Sequence, residues 1–141
     1  MLVKWKLFQY ISQMDRAAIT DWRKRLPVGY PRADLDQFLK LMVKTKDWEY
    51  PDIDTLKSKR FAGLTELRWK SGGKPHRILG YKSNDFEYTM LVGCTHDKKK
   101  YDPPEAMETA RRRKIEIESG EASTREYQLL TDEGTTGQDV P

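Results

Sequence analysis

Three alternating segments separated by turn signals constrain most strongly what this chain can fold into. From Leu64 to Lys70, the residues Thr65, Leu67 and Trp69 fall on one face of an extended strand, and Glu66, Arg68 and Lys70 fall on the other. Ser71-Gly72-Gly73-Lys74 supplies a hairpin connection, and a second strand follows from about Pro75 to Lys82. Ser83-Asn84-Asp85 then turns the chain into a third strand from Phe86 to Thr95, whose Phe86, Tyr88, Met90, Val92 and Cys94 are expected to share a face. Three consecutive strands of this kind predict an antiparallel meander.

Helices come before and after it. Val3, Trp5 and Leu7 alternate with Lys4 and Lys6, which predicts a strand to about Tyr10 that joins the meander at an edge. Asp15 is placed to cap a helix through Arg25, with Ala18, Ile19, Trp22 and Leu26 at helical spacing. Leu26-Pro27-Val28-Gly29-Tyr30-Pro31 breaks the chain, and a second helix is expected from Ala33 to about Lys46. Leu35, Phe38, Leu39 and Met42 form its stripe, and Asp34 with Gln37 resembles a capping box. Pro103 or Pro104 suits the first turn of a last helix that runs to about Glu118. The fold class expected is α+β, a small antiparallel sheet in β-α-α-β-β-β-α order packed by helices. The domain is expected to occupy residues 1–118, and residues 119–141 read as an acidic, disordered tail.

Composition narrows the function classes. At 141 residues, with four Trp, seven Tyr and four Phe, the chain has enough aromatic mass for one core. No run approaches the ~20 apolar residues of a spanning helix, and Met1 to Lys6 leads straight into a mixed polar segment rather than a secretory signal. No membrane partner is expected, and the location expected is cytoplasmic. Cys94 is the only cysteine and His76 and His96 the only histidines, with no zinc-like spacing, so neither a metal nor another cofactor is expected.

The net charge of +4 is polarised along the chain. Residues 1–56 carry ten Lys/Arg against eight Asp/Glu, residues 57–116 carry fifteen against eight, and residues 117–141 carry one against six. The basic middle fits a polyanion partner, and equally a merely soluble basic surface. Its cations gather by position: Arg68 and Lys70 on one strand, Arg77 across the hairpin, Lys74 and His76 near the turn, and Lys98, Lys99, Lys100 and Tyr101 after the third strand. Cleaving RNA without a metal needs the 2′-hydroxyl in line with the phosphate, cationic stabilisation of the phosphorane, and a proton for the 5′-oxygen. Arginine suits the phosphorane, and His or Tyr suits the proton. The plainer alternative is that Glu66 pairs with Arg68 or Lys70 on a solvated sheet face.

The ordered set Glu66-Leu67-Arg68, His76-Arg77-Ile78, Tyr88-Thr89-Met90-Leu91-Val92-Gly93, a lysine-containing loop, Pro103-Pro104 and Glu108-Thr109-Ala110-Arg111 resembles the RelE/HigB toxin superfamily, and within it the phage-derived HigB-like branch. That resemblance covers about residues 1–118. It implies a microbial-RNase-type fold and a metal-independent endoribonuclease (an mRNA interferase) that cleaves mRNA on the ribosome. It also implies a cognate helix-turn-helix antitoxin as partner. On this basis Arg77 is the residue at the scissile phosphate, Arg68 matches the strand arginine and Lys98 matches one of two loop lysines. The proton-handling candidates, which the residue types themselves offer, are His96, Tyr101 and, by hairpin position only, His76. Arg68, Lys70, Lys74, Lys99 and Lys100 are the RNA-binding candidates. Asp97 stands where a second loop lysine is expected, and His96 and Tyr101 depart locally from the pattern. The alternative is a phage-derived module of the same fold that holds RNA or a protein without cutting it. The acidic tail is expected to solubilise, or else to fold over the basic basin.

Overall fold

The computed structural model describes residues 4–129. Its elements are β1 (Lys6–Ile11), α1 (Ala18–Arg25), α2 (Tyr30–Lys44), β2 (Ile53–Thr55), a single 3-10 turn at Lys59–Phe61, β3 (Thr65–Ser71), β4 (Lys74–Asn84), β5 (Glu87–Asp97), β6 (Lys100–Asp102), α3 (Ala106–Ser119) and β7 (Ser123–Glu126). The class is α+β, with three α-helices and a seven-stranded sheet among the described residues. None of these helices is long and apolar enough to cross a membrane.

The meander forms where its alternation and turn glycines demand. Gly72 and Gly73 both take positive φ (59° and 79°), the two-residue turn that suits the twist of a hairpin, and β3 pairs antiparallel with β4 from Thr65↔Gly80 to Ser71↔Lys74. β5 pairs antiparallel with β4 in turn. The order differs from expectation around this centre. The short β2 pairs with β3 and the short β6 pairs with the end of β5; three residues apiece are too few to show a period. β1 does not lie at an edge of an antiparallel sheet. It runs parallel to β5 and is flanked on its other side by β7, so the sheet is mixed. Alternation encodes which face a residue takes and carries nothing about strand direction. Val3, where the first strand was expected to begin, lies outside the described residues.

A bulge corrects the expected face of the third strand. Between the pairs Leu79↔Val92 and Gly80↔Met90, β5 carries one extra residue, Leu91. Tyr88 and Met90 therefore face one core with Leu67 and Ile78, whereas Val92 and Cys94 face the other with Leu79. α1 and α2 cover the first core with Ile19, Trp22, Leu35, Phe38, Leu39 and Met42, and α3 covers the second with Ala106 and Ala110. Gly93 is where α1 comes closest. A Cβ there would lie 2.1 Å from the Trp22 indole, so only glycine lets that ring rest on the strand.

The helix starts also differ. Asp15 sits at φ 61° and pairs with Arg125 at 2.7 Å instead of capping. α1 is capped from outside: the buried Gln9 of β1 accepts the Ile19 and Thr20 N–H groups at 2.8 and 2.9 Å. α2 begins at Tyr30 behind Gly29, which places Asp34 and Gln37 within the helix rather than in a capping box. Pro103 and Pro104 precede α3 rather than opening it. The expected tail boundary moves as well, because residues 123–126 form β7 on β1 and Tyr127 is buried in the first core, its N–H donating to the Leu7 carbonyl at 2.7 Å. The remainder of the tail, residues 130–141, lies outside the described residues.

Candidate functional site

Strand register gathers a charged cluster on the face of the sheet that carries Leu79 and Cys94, the face against which α3 packs. Glu66 and Arg68 are two apart on β3, Arg68 pairs in register with Arg77, Arg77 with Cys94, and His96, two further along β5, with Tyr101. The period of two places all six side chains on one face. Glu66 is the centre. Its side chain is only 4% exposed, and its Oε1 accepts from Arg68 Nε at 2.9 Å and lies 3.6 Å from Arg77 Nε. Its Oε2 accepts from the Tyr101 hydroxyl at 2.6 Å. A buried carboxylate is tolerated only when paired and hydrogen-bonded in this way.

The two arginines are held differently. Arg68 also donates to Asp54 at 2.7 Å and lies over the Tyr50 ring at 5.6 Å. Arg77 is the more enclosed, its side chain 15% exposed, and its Nε is buried without a hydrogen bond. The Arg77 guanidinium is thus less fully committed than that of Arg68, which bonds both Glu66 and Asp54. The His96 ring meets the Tyr101 ring edge at 4.8 Å. Burial lowers the His96 pKa from its ordinary value, and the charge of Arg77 adds to the effect. Burial raises Tyr101 well above the usual phenol range, aided by its bond to Glu66. Cys94 is fully buried and its thiol is pushed up to about 12 by burial, so at neutral pH it is a small apolar group rather than a nucleophile.

Of the residues singled out from sequence, Arg68, Arg77, His96 and Tyr101 come together. His76 does not. It is 4% exposed on the opposite face, its ring against Trp69 and Trp22 at 5.8 and 6.5 Å and its Nδ1 2.9 Å from the Lys74 carbonyl. Consecutive strand residues face opposite ways, which separates it from Arg77. Lys74 is exposed at the β3–β4 turn and faces a different cleft, whereas Lys70 is exposed on the cluster's face. Lys98 and Lys99 form the two-residue turn into β6 with positive φ, 49° and 68°, and Lys100 follows; all three are exposed. Non-glycine residues rarely occupy that region, and two lysines there put charge at the hairpin tip at a conformational cost.

Glu66 itself is the functional candidate that sequence reasoning passed over as a structural partner. The pattern Glu-x-Arg on one strand face was its signal, but Tyr101, which completes the site, is distant in sequence. The cluster thus offers a carboxylate able to take a proton, two guanidinium groups able to hold a phosphate, and an imidazole able to give a proton. The chain matches no protein-family model, no curated protein and no solved structure.

Proposed function

We propose that this protein is a metal-independent endoribonuclease of toxin–antitoxin type, cleaving mRNA on the ribosome and held in check by a helix-turn-helix antitoxin. The observation that carries the reading is the convergence on one buried carboxylate, Glu66, of Arg68, Arg77 and Tyr101, with His96 on the edge of Tyr101. In the reaction, Glu66 accepts the proton of the 2′-hydroxyl, and the 2′-oxygen attacks phosphorus. Arg77, with Arg68, holds the non-bridging oxygens as charge builds on the phosphorane. The bond from phosphorus to the 5′-oxygen breaks, and the protonated fraction of His96, a minor one at neutral pH because its pKa is lowered, gives that oxygen its proton. The products are a 2′,3′-cyclic phosphate and a free 5′-hydroxyl. Tyr101 is a positioning residue that orients the carboxylate. General acid–base assistance of this kind is worth on the order of 10²–10⁴ in rate.

A second reading, a phage-derived module that binds RNA or a protein without cutting, is favoured by one specific observation. Glu66 is almost wholly buried and already engaged by Arg68 and Tyr101, so substrate must displace a partner before it can act as a base. Induced expression of wild type, Arg77→Gln and His96→Ala in a bacterial host, followed by primer extension on a reporter mRNA, separates the two. Growth arrest with discrete new 5′ ends for wild type alone is the expected result. Intact mRNA in cells holding folded wild-type protein would overturn the cleavage reading, and wild-type cutting by His96→Ala would overturn the acid assignment.

A further inference from the structure

A second concentration of positive charge lies away from Glu66, at an interruption in the sheet. On one side of β5 the pairing with β1 ends at Gln9↔Met90, and the pairing with β6 begins only at Thr95↔Asp102. Over this gap opens a cleft of about 620 Å³ between α1 and α3, large enough for a nucleotide-sized group. Trp22 resting on Gly93 brings α1 down to the strand, and Arg25, one helical turn on, reaches the cleft from that side. α3 supplies Arg112 and Arg113 from the other side, and Lys74 also lines the cleft.

Much of this charge is uncommitted. Among the described residues the side chains of Arg25 and Lys74 make no hydrogen bond or ion pair, and Arg112 makes one loose pair with Glu116 at 3.7 Å. Arg113 donates to the Leu91 carbonyl at 2.7 Å, which satisfies the bulge, and lies over the Tyr10 ring at 4.7 Å, with no carboxylate ion pair. Burial lowers the Arg113 pKa first, and Arg112 and Arg25 both push it lower, which places the three cations within one another's field. Two carboxylates share the walls: Asp21, already paired with Arg16 at 2.9 Å, and Asp102. Five cationic side chains against these two leave an excess that a cleft with low-dielectric walls focuses outward.

We propose that this cleft seats the backbone phosphates of an RNA strand flanking the cleavage position, an inference that rests on the ribonuclease reading. Thr95 and Asp102 line the cleft, while their neighbours His96 and Tyr101 face the Glu66 cluster. One strand of RNA passing over β6 therefore meets both sites. Arginine forks match phosphate oxygens in pairs, and the gap in the sheet is too short for the strand pairing that an acidic peptide would use.

The test uses the full chain and a 2′-O-methyl RNA 12-mer that cannot be cut, with binding followed by fluorescence anisotropy across a salt series. Arg25→Gln with Arg112→Gln, both at exposed positions, is expected to weaken binding about tenfold or more and to reduce the slope of log affinity against log salt by about 1.4, the share of two single-strand phosphates. Lys44→Gln with Lys57→Gln, which removes the same charge outside the cleft, is expected to leave the slope near wild type. Wild-type affinity and slope in the arginine variant would overturn the proposal. So would a polyglutamate peptide that binds the wild type more tightly than the oligonucleotide and is lost in the arginine variant. A wild type that leaves reporter mRNA intact in the cell assay yet shows the expected loss of affinity would support the cleft and overturn the cleavage reading, so the two failures are distinguishable.

Discussion

On the proposed ribonuclease reading, Lys98 and Lys99 set charge for RNA against the stability of the turn that carries them. Both occupy the left-handed region at the turn from β5 to β6, where Asn-Gly is the sequence the geometry prefers. Replacing them as Lys98→Asn with Lys99→Gly is expected to stabilise the fold by about 1–2 kcal/mol, raising Tm by several degrees. The same change is expected to weaken RNA binding, because it removes two charges beside His96 and Tyr101. Thermal melts and anisotropy on one preparation check both halves. A variant that is no more stable would mean that the turn stores no strain. At this scale the sequence grouped Arg77 and His96, which the register does bring to one face, with His76, which it does not. A histidine next to a candidate arginine looks like a partner in the linear chain, but on a strand it is the residue least able to reach the same face.

At the scale of elements, β7 and the bulge in β5 matter most. β7 covers β1, whose other edge is already taken by β5, and Tyr127 just beyond it fills the first core with 8% exposure. Tyr127→Ala is expected to cost about 3 kcal/mol, in the range of large aromatic truncations, read as a lower urea midpoint at unchanged slope. A loss under about half a kcal/mol would show that the segment merely rests on the sheet. The meander was legible because alternation and the Gly72-Gly73 turn are local signals. The bulge at Leu91 was not, since an uninterrupted apolar run from Met90 to Val92 hides the extra residue, and only pairing with β4 exposes it. The acidic composition of the last segment likewise pointed away from a strand, and edge pairing overrode that composition.

Across the whole molecule, several acidic groups are kept protonated by burial. The Cys94 thiol is pushed up to about 12, Tyr127 to about 12, and Tyr88 and Tyr101 higher still, in each case chiefly by burial. A folded-state pKa raised above the unfolded one means that the stabilisation is complete below the unfolded value and is lost as pH rises toward the folded one. The fold is therefore expected to hold through neutral pH and to lose stability between about pH 9 and 12, with ellipticity and phenolate absorbance changing together. Gradual phenolate formation in a chain that keeps its full ellipticity would show that these tyrosines are not enclosed.

The sequence by itself determined the α+β class, the meander, the helical stripes and the cationic middle of the chain. Each of these rests on a period or a turn read over neighbouring residues. Tertiary structure alone decided the direction of β1, the change of face at Leu91, the capping of α1 by Gln9 and the meeting of Glu66 with Tyr101. It also decided that Arg25 and Arg112 open onto one cleft. These are contacts between segments far apart in the chain. Their geometry depends on which strands pair and in what register, and no local pattern carries that information.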